Sequence, residues 1–218
     1  MASEVFNYNG EHIEVSWDKN RCIHAKECVN NLPGVFDIKK KPWIQPDQAS
    51  PDEVAKIIQR CPTGALLFKR LDDGSEEAIP AANTITLVEN GPAYLEGNLV
   101  ISNHEGTEIA RETRAAFCRC GASQNKPYCD NSHLTDNFTC GVDFNPERLL
   151  LEATDETGNE LHITLFPNAP FVVEGNYKLI GGDQQVNTEK KMSFCRCGGS
   201  MNKPFCDGSH KQIGFTTE

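Results

Sequence analysis

Two segments with nearly the same sequence decide the fold of this chain: FCRCGASQNKPYCDNSH at residues 117–133 and FCRCGGSMNKPFCDGSH at residues 194–210. Thirteen of the 17 positions are identical. A second match, between NGPAYLEGN at residues 90–98 and NAPFVVEGN at residues 168–176, extends the duplication upstream. Because a duplicated unit cannot bury its apolar face alone, we expect the two copies to pack against each other within the chain.

Each duplicated segment carries four candidate metal ligands with the same spacing. Two cysteines are separated by one residue, and alternate residues of an extended chain point the same way, so both thiols can reach one metal atom. A third cysteine and a histidine lie four residues apart, which places them on a common face of one helical turn, towards a second atom. Soft thiolates with one imidazole suit zinc or an iron–sulfur centre. The candidates are Cys118, Cys120, Cys129 and His133 in the first copy and Cys195, Cys197, Cys206 and His210 in the second.

The duplicated segments resemble the CDGSH iron–sulfur family. Residues 206–210 repeat the family signature letter for letter, and the first copy departs from it once, at Asn131. Asparagine also tolerates the left-handed backbone that glycine adopts, so we expect the same turn in both copies. The resemblance implies one [2Fe-2S] cluster per copy, with the inner iron on the cysteine pair and the outer iron on the cysteine–histidine pair. It also implies a β-rich cap above the clusters.

Two other chemistries are compatible with the same spacing. One is a zinc site with three thiolates and one imidazole, although zinc sites usually use cysteine pairs separated by two to four residues. The other is a redox disulfide between Cys118 and Cys120, which leaves the duplicated histidine without a role.

A cluster with an imidazole ligand also differs chemically from a cluster held by four thiolates. Since protons compete with iron for its lone pair, we expect acid to loosen each cluster, and we expect a raised reduction potential, as in Rieske centres.

Other polar residues of the segments are candidates for supporting roles. Four of them are expected to orient the ligands or to cap the following turn: Asp130, Ser132, Asp207 and Ser209. Lys126 and Lys203 lie beside the ligands in both copies, where they either tune the charge, dock a partner or form ordinary solvated surface.

Three further cysteines lie near the N-terminus, in CIHAKEC at residues 22–28 and CPTGA at residues 61–65. This arrangement resembles a divergent single-cluster ferredoxin, with Ala25 where the bacterial run has its middle cysteine. Three thiolates can bind [3Fe-4S], or [4Fe-4S] with His24 as the nearest fourth ligand. The alternative is a decayed site whose cysteines are core residues. The candidate ligands of this third cluster are Cys22, Cys28 and Cys61.

Local patterns predict the secondary structure around these cysteines. Ser50, Pro51 and Glu53 form a helix start with a capping box, and the apolar spacing that follows predicts that Cys61 lies on the apolar face of this helix, which Pro62 ends. Alternation predicts a strand around residues 11–17. Branched and alternating residues predict further strands at 84–88, 94–102, 108–117, 161–166, 171–180 and 186–194.

These patterns predict an α+β chain of two domains. A small ferredoxin-like domain occupies residues 1–70, and an acidic segment with Gly, Ser and Pro at residues 71–82 is a linker. A mostly β tandem CDGSH domain with pseudo-two-fold symmetry occupies residues 83–218. Its first repeat covers about residues 83–140 and its second about residues 160–218.

Composition narrows the environment and the partners. The net charge is −10, from 21 basic and 31 acidic residues, which argues against nucleic acid and anionic membranes and favours a partner with a basic docking face. The N-terminus has no basic and apolar leader, and no apolar run approaches the length of a membrane span, so we expect a cytoplasmic protein. Ten cysteines there indicate metal ligation or redox chemistry rather than disulfides.

The sequence contains no nucleophile–base constellation and no nucleotide loop, so we expect no enzyme. The leading hypothesis is a cytoplasmic electron carrier with two or three clusters and a redox protein as its partner. A second hypothesis is a cluster donor, or a redox or pH sensor, that exploits the labile histidine ligand and serves an apo acceptor. A third is a zinc-stabilised interaction module. Because the repeats can pair within one chain, a monomer is expected.

Overall fold

The computed structural model of the chain describes residues 4–149 and 159–217. These residues form two compact units, which divide between Ala78 and Ile79. Both helices and strands are present and strands predominate, as predicted for the α+β class. No helix within the described ranges is long and apolar enough to cross a lipid bilayer.

The first unit is built on a three-stranded antiparallel sheet. Its strands are β1 (Val5–Asn9), β2 (Ile13–Asp18) and β3 (Leu66–Arg70), and its helical elements are α1 (Glu27–Asn31), a 3-10 turn (Pro46–Gln48) and α2 (Pro51–Ile58). The predicted strand is β2, the middle strand in the order β1-β2-β3. Its two neighbours, β1 and β3, have five residues each and were not predicted from the sequence.

The N-terminus of α2 forms as predicted. The Ser50 hydroxyl accepts a hydrogen bond from the Glu53 amide, and the Glu53 carboxylate accepts one from the Ser50 amide, which completes the capping box. Val54, Ile57 and Ile58 are buried in the core of the first unit, on the face that the apolar spacing indicated.

The prediction that Cys61 lies on the apolar face of α2 is wrong. The helix ends at Ile58, and Cys61 follows in a turn, where its amide donates to the Ile58 carbonyl at 2.9 Å. Pro62 explains the early end, because proline disfavours the helical conformation of the residue before it. Cys61 nevertheless packs against the core of the first unit.

The second unit contains an eight-stranded sheet that draws strands from both copies of the repeat. The first copy supplies β4 (Thr84–Leu87), β5 (Ala93–Asn103) and β6 (Glu108–Phe117). The second copy supplies β7 (Leu161–Leu165), β8 (Phe171–Glu174), β9 (Tyr177–Gly181), β10 (Gln184–Thr188) and β11 (Met192–Phe194). Short helical elements are α3 (Ser132–Thr135) and 3-10 turns at Pro146–Leu149 and Ser209–Lys211.

Four of the six strands predicted for this unit are confirmed nearly as drawn, whereas the strands predicted at residues 171–180 and 186–194 are each divided in two. The first division lies at Gly175, whose φ of +121° favours glycine. In the first copy, β5 continues through the equivalent Gly97, φ +145°, with a shift in its pairing to β6. The same glycine therefore marks a bulge in one copy and a strand break in the other.

The two copies are joined by reciprocal parallel strand pairs. In the sheet order β10-β9-β4-β5-β7-β8-β11, with β6 on β5, β4 of the first copy lies alongside β9 of the second. In turn, β7 of the second copy lies alongside the later half of β5, from Leu99 to Asn103. In each pair, the first strand of one copy (β4 or β7) lies beside the later part of the next strand region of the other copy (β9, or the second half of β5). Both copies are therefore required to complete the sheet.

Phenylalanines of both copies meet at the centre of this unit's core. Phe117, Phe171 and Phe194 are at most 2% exposed. The Phe171 ring stacks on Phe194 with 5.2 Å between centroids and meets Phe117 edge-on, also at 5.2 Å. Full burial of such a side chain stabilises the fold by about 1.5–3 kcal/mol. Because Phe117 and Phe194 directly precede the first cysteine of each segment, the core anchors the start of both candidate sites.

Candidate metal centres

The two duplicated segments, here called the first loop (residues 117–133) and the second loop (residues 194–210), are held by the same backbone hydrogen bonds. The amide of the first cysteine donates to the carbonyl of the loop proline, and the amide of the third cysteine donates to the carbonyl two residues before the first cysteine. These bonds place the third cysteine beside the first. They are Cys118 to Pro127 (2.9 Å) and Cys129 to Ala116 (2.8 Å), then Cys195 to Pro204 (2.8 Å) and Cys206 to Ser193 (2.8 Å).

The first two cysteines of each loop form a close pair. The Sγ atoms of Cys118 and Cys120 are 3.5 Å apart, and those of Cys195 and Cys197 are 3.7 Å apart. In the first loop the Gly121 amide also donates to the Cys118 Sγ at 3.3 Å. The alternation of an extended chain therefore brings both thiols to one point, as the spacing predicted.

The third cysteine and the histidine of each loop form a second pair. The Sγ of Cys129 lies 3.5 Å from the Nδ1 of His133, and the Sγ of Cys206 lies 3.4 Å from the Nδ1 of His210. Both histidines are partly exposed, whereas Cys118 and Cys195 are buried. Each loop therefore has one pair that begins at a buried cysteine and one pair that reaches the protein surface.

The turn between the third cysteine and the histidine is left-handed in both loops. Asn131 has a φ of +72° and Gly208 a φ of +91°, and each directly precedes the short helical element that carries the histidine. This confirms the prediction that asparagine keeps the turn which glycine makes in the second loop. The single departure from the signature, Asn131 in place of glycine, therefore keeps the left-handed turn.

The two thiols of each cysteine pair differ in pKa. The hydrogen bond from Cys120, together with backbone amides, lowers the pKa of Cys118 to about 6 against the effect of burial. The pKa of Cys195 is lowered to about 6 in the same way by Cys197. The pKa values of Cys120 and Cys197 are raised by the same hydrogen bonds and by burial. One thiol of each pair therefore ionises readily, and metal ligation requires the thiolate.

An aspartate organises the turn before each histidine. Asp207 accepts hydrogen bonds from the amide of Ser209 at 3.0 Å, from its hydroxyl at 2.6 Å and from the Met201 amide at 2.8 Å. These bonds, led by the Ser209 hydroxyl, lower the pKa of Asp207. In the first loop the same contacts join Asp130 to Ser132 and Gln124.

The two lysines of the loops bend back onto their own backbone. The Nζ of Lys126 donates to the Ser123 carbonyl, and that of Lys203 donates to the Ser200 carbonyl, both at 2.6 Å. Lys126 also lies over the ring of Phe215, at 5.8 Å from its centroid. Both ammonium groups are therefore engaged within the second unit.

The three N-terminal cysteines line one cavity of about 530 Å³ in the first unit. The pKa of Cys28 is raised to about 11, mainly by burial and further by the charges of Cys61 and Cys22. His24 and Ala25 line the same cavity and are exposed. The remaining wall includes Tyr8, Trp17, Ile38, Trp43 and Leu66.

The candidate ligands do not gather into single-ion sites. Within residues 4–149 and 159–217, no three Cys, His, Asp or Glu side chains converge closely enough to hold one metal ion. In each loop the four ligands form two pairs instead.

No sequence motif indicated a role for Arg119 and Arg196, the residues between the paired cysteines. Both are buried, with 5% of their surface exposed. A signal was available, since the alternation that points Cys118 and Cys120 to one side points the residue between them to the other side. Both copies carry arginine at this position.

Comparisons with known proteins divide the chain in the same way. Residues 8–70 match the family described as "Divergent 4Fe-4S mono-cluster". Residues 90–134 and 168–211 each match the family described as "Iron-binding zinc finger CDGSH type". No solved structure matches the chain.

Two bacterial relatives match part of the chain. Each is called "Uncharacterized protein YjdI", one from Escherichia coli (strain K12) and one from Escherichia coli O157:H7. Each is 40% identical over 62 residues, which cover 28% of this chain and 82% of the relative. The family matches show that this chain carries a divergent 4Fe-4S mono-cluster domain followed by two domains of the iron-binding CDGSH family.

Proposed function

We propose that this chain is an electron-transfer protein, and not an enzyme, that holds one [2Fe-2S] cluster in each loop and a third cluster in the first unit. The observation that carries the proposal is the repeated arrangement of two ligand pairs per loop, at Cys118–Cys120 and Cys129–His133 and at the equivalent residues of the second loop. Each pair would hold one iron.

The distances within the pairs support this assignment. A tetrahedral metal with metal–sulfur bonds of about 2.3 Å holds two thiolate sulfurs about 3.8 Å apart. With a metal–nitrogen bond of about 2.0 Å, a sulfur and an imidazole nitrogen lie about 3.5 Å apart. The pairs measure 3.5 and 3.7 Å for sulfur–sulfur and 3.5 and 3.4 Å for sulfur–nitrogen. Two separate pairs suit two irons better than one zinc ion, which needs all four ligands around one point.

The chemistry of such a centre is the acceptance and release of one electron. The protein contributes the surroundings. It buries the first cysteine of each loop, directs backbone amides at the sulfurs and leaves the histidine edge at the surface. A partly exposed imidazole gives a redox partner a short approach, and the net charge of −10 favours a partner with a basic face.

The third cluster is supported by the cavity that Cys22, Cys28 and Cys61 share. Three thiolates in a cavity of about 530 Å³ suit [3Fe-4S], or [4Fe-4S] with one iron not held by cysteine. His24 lines the same cavity and is the candidate for that iron. We assign the first unit to a ferredoxin-like domain at residues 1–70, followed by a linker at residues 71–82.

We further propose that a pseudo-two-fold axis relates the two CDGSH repeats, at residues 83–140 and 160–218. The reciprocal pairing of β4 with β9 and of β7 with β5 supports this, because each pair is the counterpart of the other under the repeat. Such an arrangement gives one chain the two sites that a dimer of single repeats would provide, so we expect a cytoplasmic monomer.

The test is the iron, zinc and acid-labile sulfide content of anaerobically purified protein, with a visible spectrum. We expect about seven or eight irons and about eight sulfides per chain, because two [2Fe-2S] clusters contribute four of each and the third cluster contributes the rest. About four irons with four sulfides would remove the third cluster from the proposal. Zinc without sulfide would contradict the proposal and would indicate an interaction module.

Cluster donation, or sensing through the labile histidine, is the second candidate function, favoured by the surface position of His133 and His210. A reversible one-electron titration with all iron retained would support electron transfer. Delivery of iron and sulfide to an apo acceptor from one redox state only would support donation instead. The acceptor in this assay is an apo ferredoxin whose spectrum reports loading.

Replacement of Asp207 by asparagine is expected to weaken the second loop alone. The amide has one acceptor oxygen in place of the carboxylate that binds Ser209 and Met201, so at least one of these charge-assisted hydrogen bonds is lost. We therefore expect faster release of about two irons per chain to a chelator. The control is Asp143→Asn at an exposed position, and equal rates in the two variants would contradict the role of Asp207.

A further inference from the structure

The two loops meet through their glycines. A Cβ atom at Gly121 would lie 2.6 Å from the carbonyl oxygen of Cys197, and a Cβ atom at Gly198 would overlap the carbonyl oxygen of Cys120. Both glycines have a left-handed φ, of +85° and +75°. The backbones that carry the second cysteine of each loop are therefore in direct contact, and a side chain of one loop can reach the site of the other.

The buried arginines Arg119 and Arg196 extend from these contacting backbones. Within the described residues, the hydrogen bonds of their guanidinium groups go to neutral carbonyls or to a thiol. The partners lie in the same copy as the arginine, or directly after that copy in the case of Gly141. Neither guanidinium has a carboxylate partner in this part of the chain. The bonds are Arg119 to Val88 O (2.8 Å), Gly141 O (3.1 Å) and Cys140 Sγ (2.8 Å), and Arg196 to Ala169 O (3.0 Å) and Phe166 O (3.1 Å).

A buried guanidinium without a carboxylate partner carries a positive charge that no neighbouring acid compensates. Removal of a cation from water is costly unless an opposite charge lies nearby. Burial lowers the pKa of both side chains, that of Arg196 to about 10, which reflects this cost. The balancing negative charge must therefore come from another group near the two arginines.

The thiol of Cys140, which contacts Arg119, raises the pKa of that arginine, but burial raises the pKa of Cys140 itself and so keeps the thiol protonated. The next groups are cysteines of the opposite loop. Cys195 of the second loop also raises the pKa of Arg119, and Cys118 of the first loop raises the pKa of Arg196. The geometry agrees with this crossing. The two cysteines of a pair point towards their own site, so the arginine between them points away from it. The backbone beside each arginine lies against the opposite loop. The Arg196 guanidinium also lies 5.9 Å from the centroid of the Phe215 ring, and the Nζ of Lys126 in the first loop lies 5.8 Å from the same centroid.

We propose that Arg119 is the counter-ion of the [2Fe-2S] cluster in the second loop, and that Arg196 is the counter-ion of the cluster in the first loop. The proposal rests on the proposed function. A cluster with three thiolates and a neutral imidazole is an anion, and its reduction adds a further negative charge. A buried cation nearby stabilises the reduced form, because charges interact strongly where water is excluded. Each repeat thus sets the reduction potential of the other.

The crossed assignment is tested in two chains that retain a single CDGSH site. Cys129→Ala with His133→Ala leaves the second loop, and Cys206→Ala with His210→Ala leaves the first. Each chain receives Arg119→Met and, separately, Arg196→Met. The readout is a redox titration of the visible cluster absorption, after iron and sulfide have been measured in every variant.

In the chain with only the second loop, Arg119→Met is expected to lower the ratio of reduced to oxidised cluster at a fixed potential about tenfold, or about 59 mV for one electron. Arg196→Met is expected to change that ratio less than about twofold, and the chain with only the first loop should show the reverse. Arg119→Lys keeps the charge and should restore most of the ratio. If a methionine variant binds no iron, Arg119→Gln and Arg196→Gln, which are neutral but keep polar contacts, take its place in the same titrations.

Two results would overturn the proposal while the proposed function stands. One is that each arginine shifts the cluster of its own loop, and the other is that neutral variants shift both clusters equally or neither. A wild-type chain without [2Fe-2S] clusters would overturn the proposed function together with the counter-ion role. The iron and sulfide measurement separates these cases before any titration is made.

Discussion

Replacement of Cys61 by alanine is expected to remove about three or four irons per chain and to leave about four in place. Cys61 lines the cavity of the first unit together with Cys22 and Cys28, and two thiolates cannot hold a cluster that three secure. The proposed ligands of the two loops all lie in the second unit, so the iron of the loops is expected to stay. Iron and sulfide per chain, with the visible spectrum, measure both effects.

The control for this variant is Cys140→Ala, the same substitution at a buried cysteine that belongs to neither ligand pair of a loop. We expect its iron content to equal that of the wild type. The alternative explanation, that the N-terminal cysteines are ordinary core residues, predicts a different pattern. In that case the Cys61 variant would lose stability in the first unit without losing iron.

Gly121→Ala is expected to destabilise the second unit and to deplete the proposed clusters of both loops at once. The added Cβ would lie 2.6 Å from the Cys197 carbonyl oxygen, and a backbone atom cannot swing aside as a flexible side chain can. Overpacking of this kind costs about 1–3 kcal/mol, in addition to about 1–2 kcal/mol for a left-handed alanine. Denaturant unfolding followed by far-UV circular dichroism, together with iron per chain, measures the loss.

Gly106→Ala is a matched control, because Gly106 has nearly the same φ, +86°, and nothing lies within 4 Å of the added Cβ. The Gly106 variant therefore has the conformational cost of a left-handed alanine without the cost of overpacking. Both tryptophans, Trp17 and Trp43, lie in the first unit, so their fluorescence should be unaffected by either variant. Equal losses of iron and stability in the two variants would show that the contact between the loops is unimportant.

Local chemistry explains which features could be predicted from the sequence. The capping box at Ser50 needs only residues within one turn, and the left-handed turn at Asn131 follows from the tolerance of a single residue type. The pairs Cys118–Cys120 and Cys129–His133 follow from the two periods of the backbone. Each of these features depends on residues at most a few positions apart.

Features that depend on residues far apart in the chain could not be predicted from the sequence. The parallel pairing of β4 with β9 joins strands about 94 residues apart, and no local pattern encodes that partner. Periodicity placed Cys61 on α2, but the conformational effect of Pro62 ended the helix first. Arg119 and Arg196 resemble surface residues by type, and their burial depends on carbonyls about 20–30 residues away along the chain, which no local pattern encodes.

The reciprocal strand pairs set an order of events during synthesis. The first loop is complete at residue 133, yet β9, which completes its sheet beside β4, ends at Gly181. At about 5–20 residues per second, the ribosome needs several seconds to add the roughly 77 residues between the histidines of the two loops. We therefore expect the sheet of a nascent first repeat to stay incomplete until the second repeat emerges. Iron insertion at the proposed sites of both loops is then expected to be a late event, after both repeats have left the ribosome.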